Sequence, residues 1–296
     1  MKLRMIRTLL VFASSLLVVI AARCAAQDYL RVPADSSLEQ IPAYLSDRGT
    51  GMSTSMFGTF VRQGELIVYP FFEFDHSNNY SYNPNDEGYG NNEDYQGRYT
   101  STEGLIFLGY GISDALSVEV EAALQSATLN KALEDNSPMP AKISESGLGD
   151  VETQLRWSWA KETETTPEFY ANWETVFPLQ KNRMLLGTHE WEVNLGAGAI
   201  KGFSWGTIAG RAAVELGGFD SFDFGEWAVE YIKRFSDTWR IYAGIEGSGE
   251  EVSVLGEVQL HLSPHLFIKL NNGIGLTSEA IPWAPEIGVV FSSSIF

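Results

Sequence analysis

The stretch Ala115–Gln125, ALSVEVEAALQ, reads as an extended strand with two unlike faces. Successive side chains of a strand point to opposite sides. Leu116, Val118, Val120, Ala122 and Leu124 therefore share one face, and Ser117, Glu119, Glu121 and Gln125 share the other. A period of two over this length argues against an amphipathic helix, whose apolar residues recur at spacings of three and four. Carboxylates inside a strand need water or partners. In an open sandwich they would face bulk solvent; in a closed barrel they face the lumen, with hydrocarbon on the outside.

The alternation recurs along the chain. Glu152, Gln154, Arg156 and Ser158 oppose Thr153, Leu155, Trp157 and Trp159, and Asn172 and Glu174 oppose Phe169, Ala171, Trp173, Thr175 and Phe177. Later segments set Arg211, Ala213 and Glu215 against Ala212, Val214 and Leu216, then Arg240, Tyr242 and Glu246 against Trp239, Ile241, Ala243 and Ile245. Glu257, Gln259 and His261 oppose Val258, Leu260 and Leu262.

The connections alternate in length. Short turns are expected at Ser113-Asp114, Ser204-Trp205, Ser236-Asp237 and Ser263-Pro264, with a longer one at Lys161–Pro167. Long polar loops are expected at Ser77–Gly97, Asn130–Gly147, Gln180–Glu190, Gly217–Asp223, Gly247–Glu250 and Thr277–Pro285. Turns short at one end and loops long at the other are the pattern of outer-membrane barrels. The fold class expected is all-β, a transmembrane antiparallel up-and-down barrel of about twelve strands over residues 64–296, preceded by a cleaved signal peptide.

That peptide is read at residues 1–26. Lys2, Arg4 and Arg7 precede an apolar run from Leu9 to Ala22, and the small residues Ala25 and Ala26 close it, the pattern of an export leader. Its removal takes away four cations (Lys2, Arg4, Arg7 and Arg23) and no acid. Of 20 basic and 38 acidic residues it leaves 16 against 38, a net charge of −22, and nucleic acid is an implausible partner for such a chain. Cys24 is the sole cysteine, so disulfides play no part in the mature fold. No other apolar run approaches the length of a spanning helix, which leaves a closed barrel as the means of entering a membrane. Residues 27–63 fall outside the alternation and are expected to form an arm or plug, periplasmic or luminal, or an additional strand around Met52–Val61. The final strand runs to Phe296, a terminal residue of the kind read by the outer-membrane insertion machinery. Membrane lipid and lipopolysaccharide are the other partners expected, at an outer-membrane location.

Ser146-Gly-Leu-Gly-Asp150, which enters a strand of alternating polar and aromatic residues, and a following strand ending Glu174-Thr-Val-Phe-Pro178 carry a resemblance. From about Gly104 to Phe296 the chain is similar to the outer-membrane transporter family named after meta-pathway phenol degradation, related to the long-chain fatty-acid channel group. The resemblance implies a barrel and a role in uptake of apolar compounds. It assigns no functional residue.

The candidates for function are the charged groups expected to face the lumen: Glu119, Glu121, Glu152, Arg156, Glu174, Glu192, Arg211, Glu215, Glu230, Arg240, Glu246, Glu257 and Lys269. Acids outnumber bases, so an open lumen favours cations; the alternative is that these groups pair across a narrow, closed interior. Asn83, Asn85, Glu87, Gly88 and Asp94 approximate a calcium loop, but a solvated turn is the simpler reading. Four histidines exist: His76, His189, His261 and His265. His76 stands beside Asp75 and Ser77, whose side chains point to the opposite face of a strand. With no Gly-x-Ser-x-Gly or His-Glu-x-x-His motif, a hydrolase is disfavoured and no cofactor is expected. A channel for small solutes is the expected function, with a non-conducting structural or surface-interaction barrel as its rival.

Overall fold

The computed structural model describes residues 41–85, 88–180, 183–217 and 222–294. The leader reading, residues 27–40, Glu87 of the calcium-like loop and the terminal Phe296 lie outside the described residues. Two short strands, β1 (Met52–Ser53) and β2 (Phe60–Val61), pair only with each other. Twelve long ones follow: β3 (Glu65–Tyr82), β4 (Tyr95–Ser113), β5 (Leu116–Asn130), β6 (Lys142–Ala160), β7 (Glu168–Phe177) and β8 (Glu192–Phe203), then β9 (Gly206–Gly217), β10 (Asp223–Arg234), β11 (Trp239–Ser248), β12 (Glu251–Ser263), β13 (Leu266–Gly275) and β14 (Ala284–Ser294). Each pairs antiparallel with its sequence neighbours, and β14 pairs with β3. The result is a closed up-and-down barrel of twelve strands, as the alternation implies. Closure removes both sheet edges.

Connections after even-numbered strands, such as Asp114-Ala115 between β4 and β5, are short except for 161–167 after β6; those after odd-numbered strands are mostly longer. The two rims are called here the turn end and the loop end. Two loops are shorter than the sequence suggests. β3 continues to Tyr82 and β4 begins at Tyr95, while β6 begins at Lys142. In these extensions the outward positions carry Asn, Ser, Gln and Lys in place of apolar residues, so the polar-apolar contrast that marks a strand is lost although the ladder persists.

The outer surface is apolar. Val118, Val120 and Leu124 of β5, Leu155, Trp157 and Trp159 of β6, and Val254 and Val258 of β12 are all exposed. A continuous apolar surface of this extent is far beyond what a water-soluble monomer shows. Aromatic rings cluster near both rims: Trp159 stacks on Phe169 at 6.1 Å and Phe203 on Trp205 at 5.0 Å at the turn end, while Phe177 meets Trp191 at 5.1 Å and Phe74 meets Trp283 at 5.6 Å at the loop end. From Phe169 to Phe177 a strand rises about 20 Å along the barrel axis at ordinary tilt, which fits an apolar band about 25 Å tall.

Residues 42–64 lie inside the turn half of the barrel. Their bonds reach inward side chains of β5 through β7 and β11 through β13, and the Arg234 amide of β10, and that ring of partners is available only from the lumen. The segment opens with a single-turn 3-10 helix at Ala43–Leu45 and continues into the β1–β2 hairpin. Its Met52 and Val61 pack with Ile67, Tyr69, Phe71, Phe107 and Val290 of the wall. The span expected as a possible further strand is thus an internal hairpin, paired with itself. Backbone meets backbone where the wall carries glycine: a Cβ on Gly202 would stand 1.6 Å from the Tyr44 carbonyl oxygen, and one on Gly111 2.0 Å from that of Arg62.

Candidate functional site: an acidic vestibule above the inner segment

The wall's inward cations in the turn half are turned to the inner segment. The Arg156 guanidinium donates to Ser53 Oγ at 3.2 Å and to Gln154 at 2.5 Å, and lies 3.6 Å from Glu119. Glu119 in turn accepts from the Ser55 amide at 2.8 Å and its hydroxyl at 2.6 Å. Arg240 donates to the Arg48 carbonyl at 3.2 Å, to the Gly58 carbonyl, and to Gln259 at 2.7 Å. Lys269 donates to the Phe57 carbonyl at 2.8 Å and pairs with Glu257 at 3.1 Å. The segment contributes its own cation: buried Arg48 bridges Glu162 at 3.1 Å and Glu168 at 2.8 Å. Asp47 pairs with Lys233 at 3.2 Å and accepts from the Arg234 amide at 2.9 Å. Such buried charge is tolerable only because each group is paired and hydrogen-bonded.

Above the segment lies a cavity of ≈ 480 Å³. Among the described residues its wall carries ten carboxylates and two guanidiniums. The acids are Glu119, Glu121, Asp150, Glu152, Glu174, Glu192, Glu215, Glu226, Glu246 and Glu251; the bases are Arg156 and Arg211. Arg211 sits over the Phe57 ring at 4.9 Å and is shared by Glu226, Glu230 and Glu246 at 3.5 to 4.0 Å. Glu121 and Glu152 are direct cross-strand neighbours. Glu174 accepts from Gln154 at 2.6 Å and Asn194 at 2.9 Å. Glu121, Glu152, Glu174, Glu192 and Glu215 form no ion pair among the described residues. Thus Glu119, Arg156, Arg240, Glu257 and Lys269 hold the inner segment, Arg211, Glu230 and Glu246 form one shared cluster, and the rest line open space.

Alternation in the sequence does not single out Asp150, Glu226 and Glu251, nor a second acidic row. Glu286, Glu73, Glu103 and Gln125 stand opposite one another across β14, β3, β4 and β5. These were hidden because β3 and β4 also turn apolar residues inward, Phe71 and Phe107 among them.

The loop after β7 folds back against the wall. Glu145 accepts from the Met184 and Leu185 amides at 2.9 and 3.0 Å, and Asp150 accepts from the Thr188 amide at 2.7 Å. Leu186 is buried with Tyr82, Tyr99, Leu129, Met139 and Ile143, so this loop narrows the loop-end mouth on the β6 side.

The calcium-like loop is tied to itself, with Asn83 donating to Asp94 at 2.9 Å. No group of three or more His, Cys, Asp or Glu among the described residues is arranged to hold a metal ion. His76 meets Thr100 at 3.3 Å, His189 the Arg183 carbonyl, and His265 Ser292 at 3.2 Å; His261 stacks on Phe267 at 4.7 Å. None is paired with a carboxylate and a hydroxyl in the order that activates a nucleophile.

No protein-family model and no curated protein matches the chain. Among solved structures it is similar to an outer membrane channel from Pseudomonas putida F1, at 14% identity over 81% of this chain and 99% of that one, with a TM-score of 0.58. It aligns more distantly with the KdgM porin in complex with disordered oligogalacturonate, at 8% identity over 76% and 98% and a TM-score of 0.48. The Ralstonia pickettii toluene transporter TbuX follows, at 10% identity over 86% and 92% and a TM-score of 0.40. The first of these likenesses shows a shared fold.

Proposed function

We propose that this chain is an outer-membrane channel for the passive passage of small polar solutes, favouring cations, with residues 42–64 as a plug at its periplasmic end. The apolar outer band supports residence in a bilayer, and the inequality of turns and loops supports periplasmic turns and an extracellular loop end. One observation carries the choice of solute. The lumen's cations are held by the inner segment or by their own carboxylates, and the vestibule above is left with ten carboxylates against two guanidiniums. Such a wall concentrates cations and repels anions. It is a poor path for the apolar compounds implied by the family resemblance, because an apolar solute in it strips water from carboxylates and returns no hydrogen bond.

The test is the reversal potential of purified protein in planar bilayers under a KCl gradient. Cation-selective steps are expected, with selectivity weakened in the Glu121→Gln/Glu152→Gln/Glu174→Gln variant. Anion selectivity in the wild type sinks the reading. A second reading, a barrel that does not conduct, is favoured by the plug itself, and silence at all voltages and salts, in the wild type and in a plug-releasing variant, would establish it.

A further inference from the structure

The charges of β3–β6 are sorted by face. Side-chain parity and burial put every carboxylate of these four strands on the inside, including Glu73, Glu103, Glu121 and Glu152. Their outward faces, all within the described residues, carry two cations and no carboxylate. Arg98 of β4 and Lys142 of β6 are both exposed, and neither takes part in an ion pair among the described residues. Both stand opposite Asn130 of β5, one on each side, so the two cations flank a carboxamide with their backbones about 10 Å apart. In a chain of net charge −18, an outward pair of unopposed cations is a local reversal of sign.

The row beneath is Thr100, Thr128 and Ser144, again direct neighbours across the three strands. Thr128 and Ser144 hydrogen-bond at 3.0 Å and remain exposed. Apolar surface resumes two rows lower at Leu124 and Leu148. From that level to the cations the wall rises roughly 15 Å along the barrel axis. The order read upward is apolar, hydroxyl, cation. A phosphorylated glycolipid of the outer leaflet presents acyl chains beneath a headgroup that carries sugar hydroxyls and phosphates together, which sets its chains against the apolar band and its headgroup against the hydroxyl rows and the cations. An acyl phospholipid has no sugar layer to set against the hydroxyl rows.

We propose that the outer face of β4–β6 at the loop end is a binding surface for a phosphorylated glycolipid, with Arg98 and Lys142 taking its phosphates. This rests on the membrane-barrel reading given above. Each cation is expected to contribute about fivefold to binding, as basic groups near an anionic membrane surface do.

The test uses the full folded chain in mild detergent, with a bisphosphorylated diglucosamine glycolipid as probe and its dephosphorylated form as comparison. Arg98→Ala and Lys142→Ala should each weaken the phosphorylated probe about fivefold, and the double variant about 25-fold. Arg98→Lys/Lys142→Arg should bind as wild type. The dephosphorylated form should bind all five proteins equally. Unchanged affinity in the double variant overturns the proposal. So does a phosphatidylglycerol probe that binds wild type as tightly and loses as much in the double variant, since that assigns the cations to phospholipid. The heat-induced shift in electrophoretic mobility is read on the same samples. A protein that shows no such shift and stays soluble without detergent refutes the barrel, whereas a normal shift with unchanged affinities refutes the glycolipid surface alone.

Discussion

Replacing Arg48 by alanine should release the inner segment without unfolding the barrel. Its guanidinium donates to Glu162 at 3.1 and 3.2 Å, to Glu168 at 2.8 Å and to the Gly51 carbonyl at 3.3 Å, and lies over the Phe60 ring at 5.4 Å. Removing one partner of a buried ion pair costs roughly 3–5 kcal/mol. The lower figure applies, because Glu162 keeps Lys201 at 3.1 Å and the Gly202 amide at 2.6 Å, and Glu168 keeps Ser158 at 2.9 Å. About 3 kcal/mol corresponds to an increase of about 150-fold in the released population. Thr59, buried in the segment, makes a reporter when changed to cysteine in a background with Cys24, the sole cysteine, replaced by alanine. Maleimide labelling of Thr59→Cys should accelerate by about two orders of magnitude when Arg48→Ala is added. Neutralising the whole set, with Arg48→Met, Glu162→Gln, Glu168→Gln and Lys201→Met together, should return most of the protection, since no buried charge is then stranded. Equal labelling rates with and without Arg48 would refute the view that this ion set holds the segment.

Three further outcomes follow from other parts of the molecule. Val120→Arg places a cation midway along the apolar face of β5, where the cost in a bilayer is about 2–4 kcal/mol; the folded fraction in vesicles, read by urea titration, should fall accordingly, whereas a soluble sandwich would tolerate this exposed site. Gly202→Val puts a side chain where the Tyr44 carbonyl now stands, and it should raise the Thr59→Cys labelling rate while the barrel's unfolding midpoint changes little. Asp135, in the loop after β5, loses solvation by burial, but the Ser137 side chain and amide, the Tyr82 hydroxyl and Lys131 more than offset this and hold its carboxyl below the usual range. A carboxyl with a depressed folded pKa stabilises above its unfolded value, about 4, and loses that contribution as pH falls through the folded one; amide exchange in residues 131–141 should therefore quicken in that acid window, and far less so in Asp135→Asn.

The barrel was legible in the sequence because β5, β6, β7 and β12 each set a polar inner face against an apolar outer one. The inner segment was not, although a signal for it exists. Leu66-Ile-Val-Tyr-Pro-Phe-Phe72 is apolar on both faces, and a strand that is apolar inside and outside needs cover on both sides. In the bilayer proposed above hydrocarbon covers one side of β3, and Met52, Met56 and Val61 cover the other. The acids were legible as facing inward but not in their partners. Whether Glu119 meets Ser55 or Glu121 meets Glu152 is decided by register and by a segment outside the alternation, and neither is carried by periodicity. The extensions of β3 and β6 look like loops in the sequence because polar residues on their outer face blur the pattern that marks a half-buried strand.

Nitroxide scanning along residues 116–125 in lipid vesicles tests most directly that hydrocarbon lies outside this wall and water within. Labels at 116, 118, 120, 122 and 124 should be accessible to dissolved oxygen and shielded from a water-soluble nickel complex, and labels at 117, 119, 121, 123 and 125 should show the reverse or be buried against the inner segment. Uniform access of the nickel complex to both sets would contradict a membrane-embedded barrel.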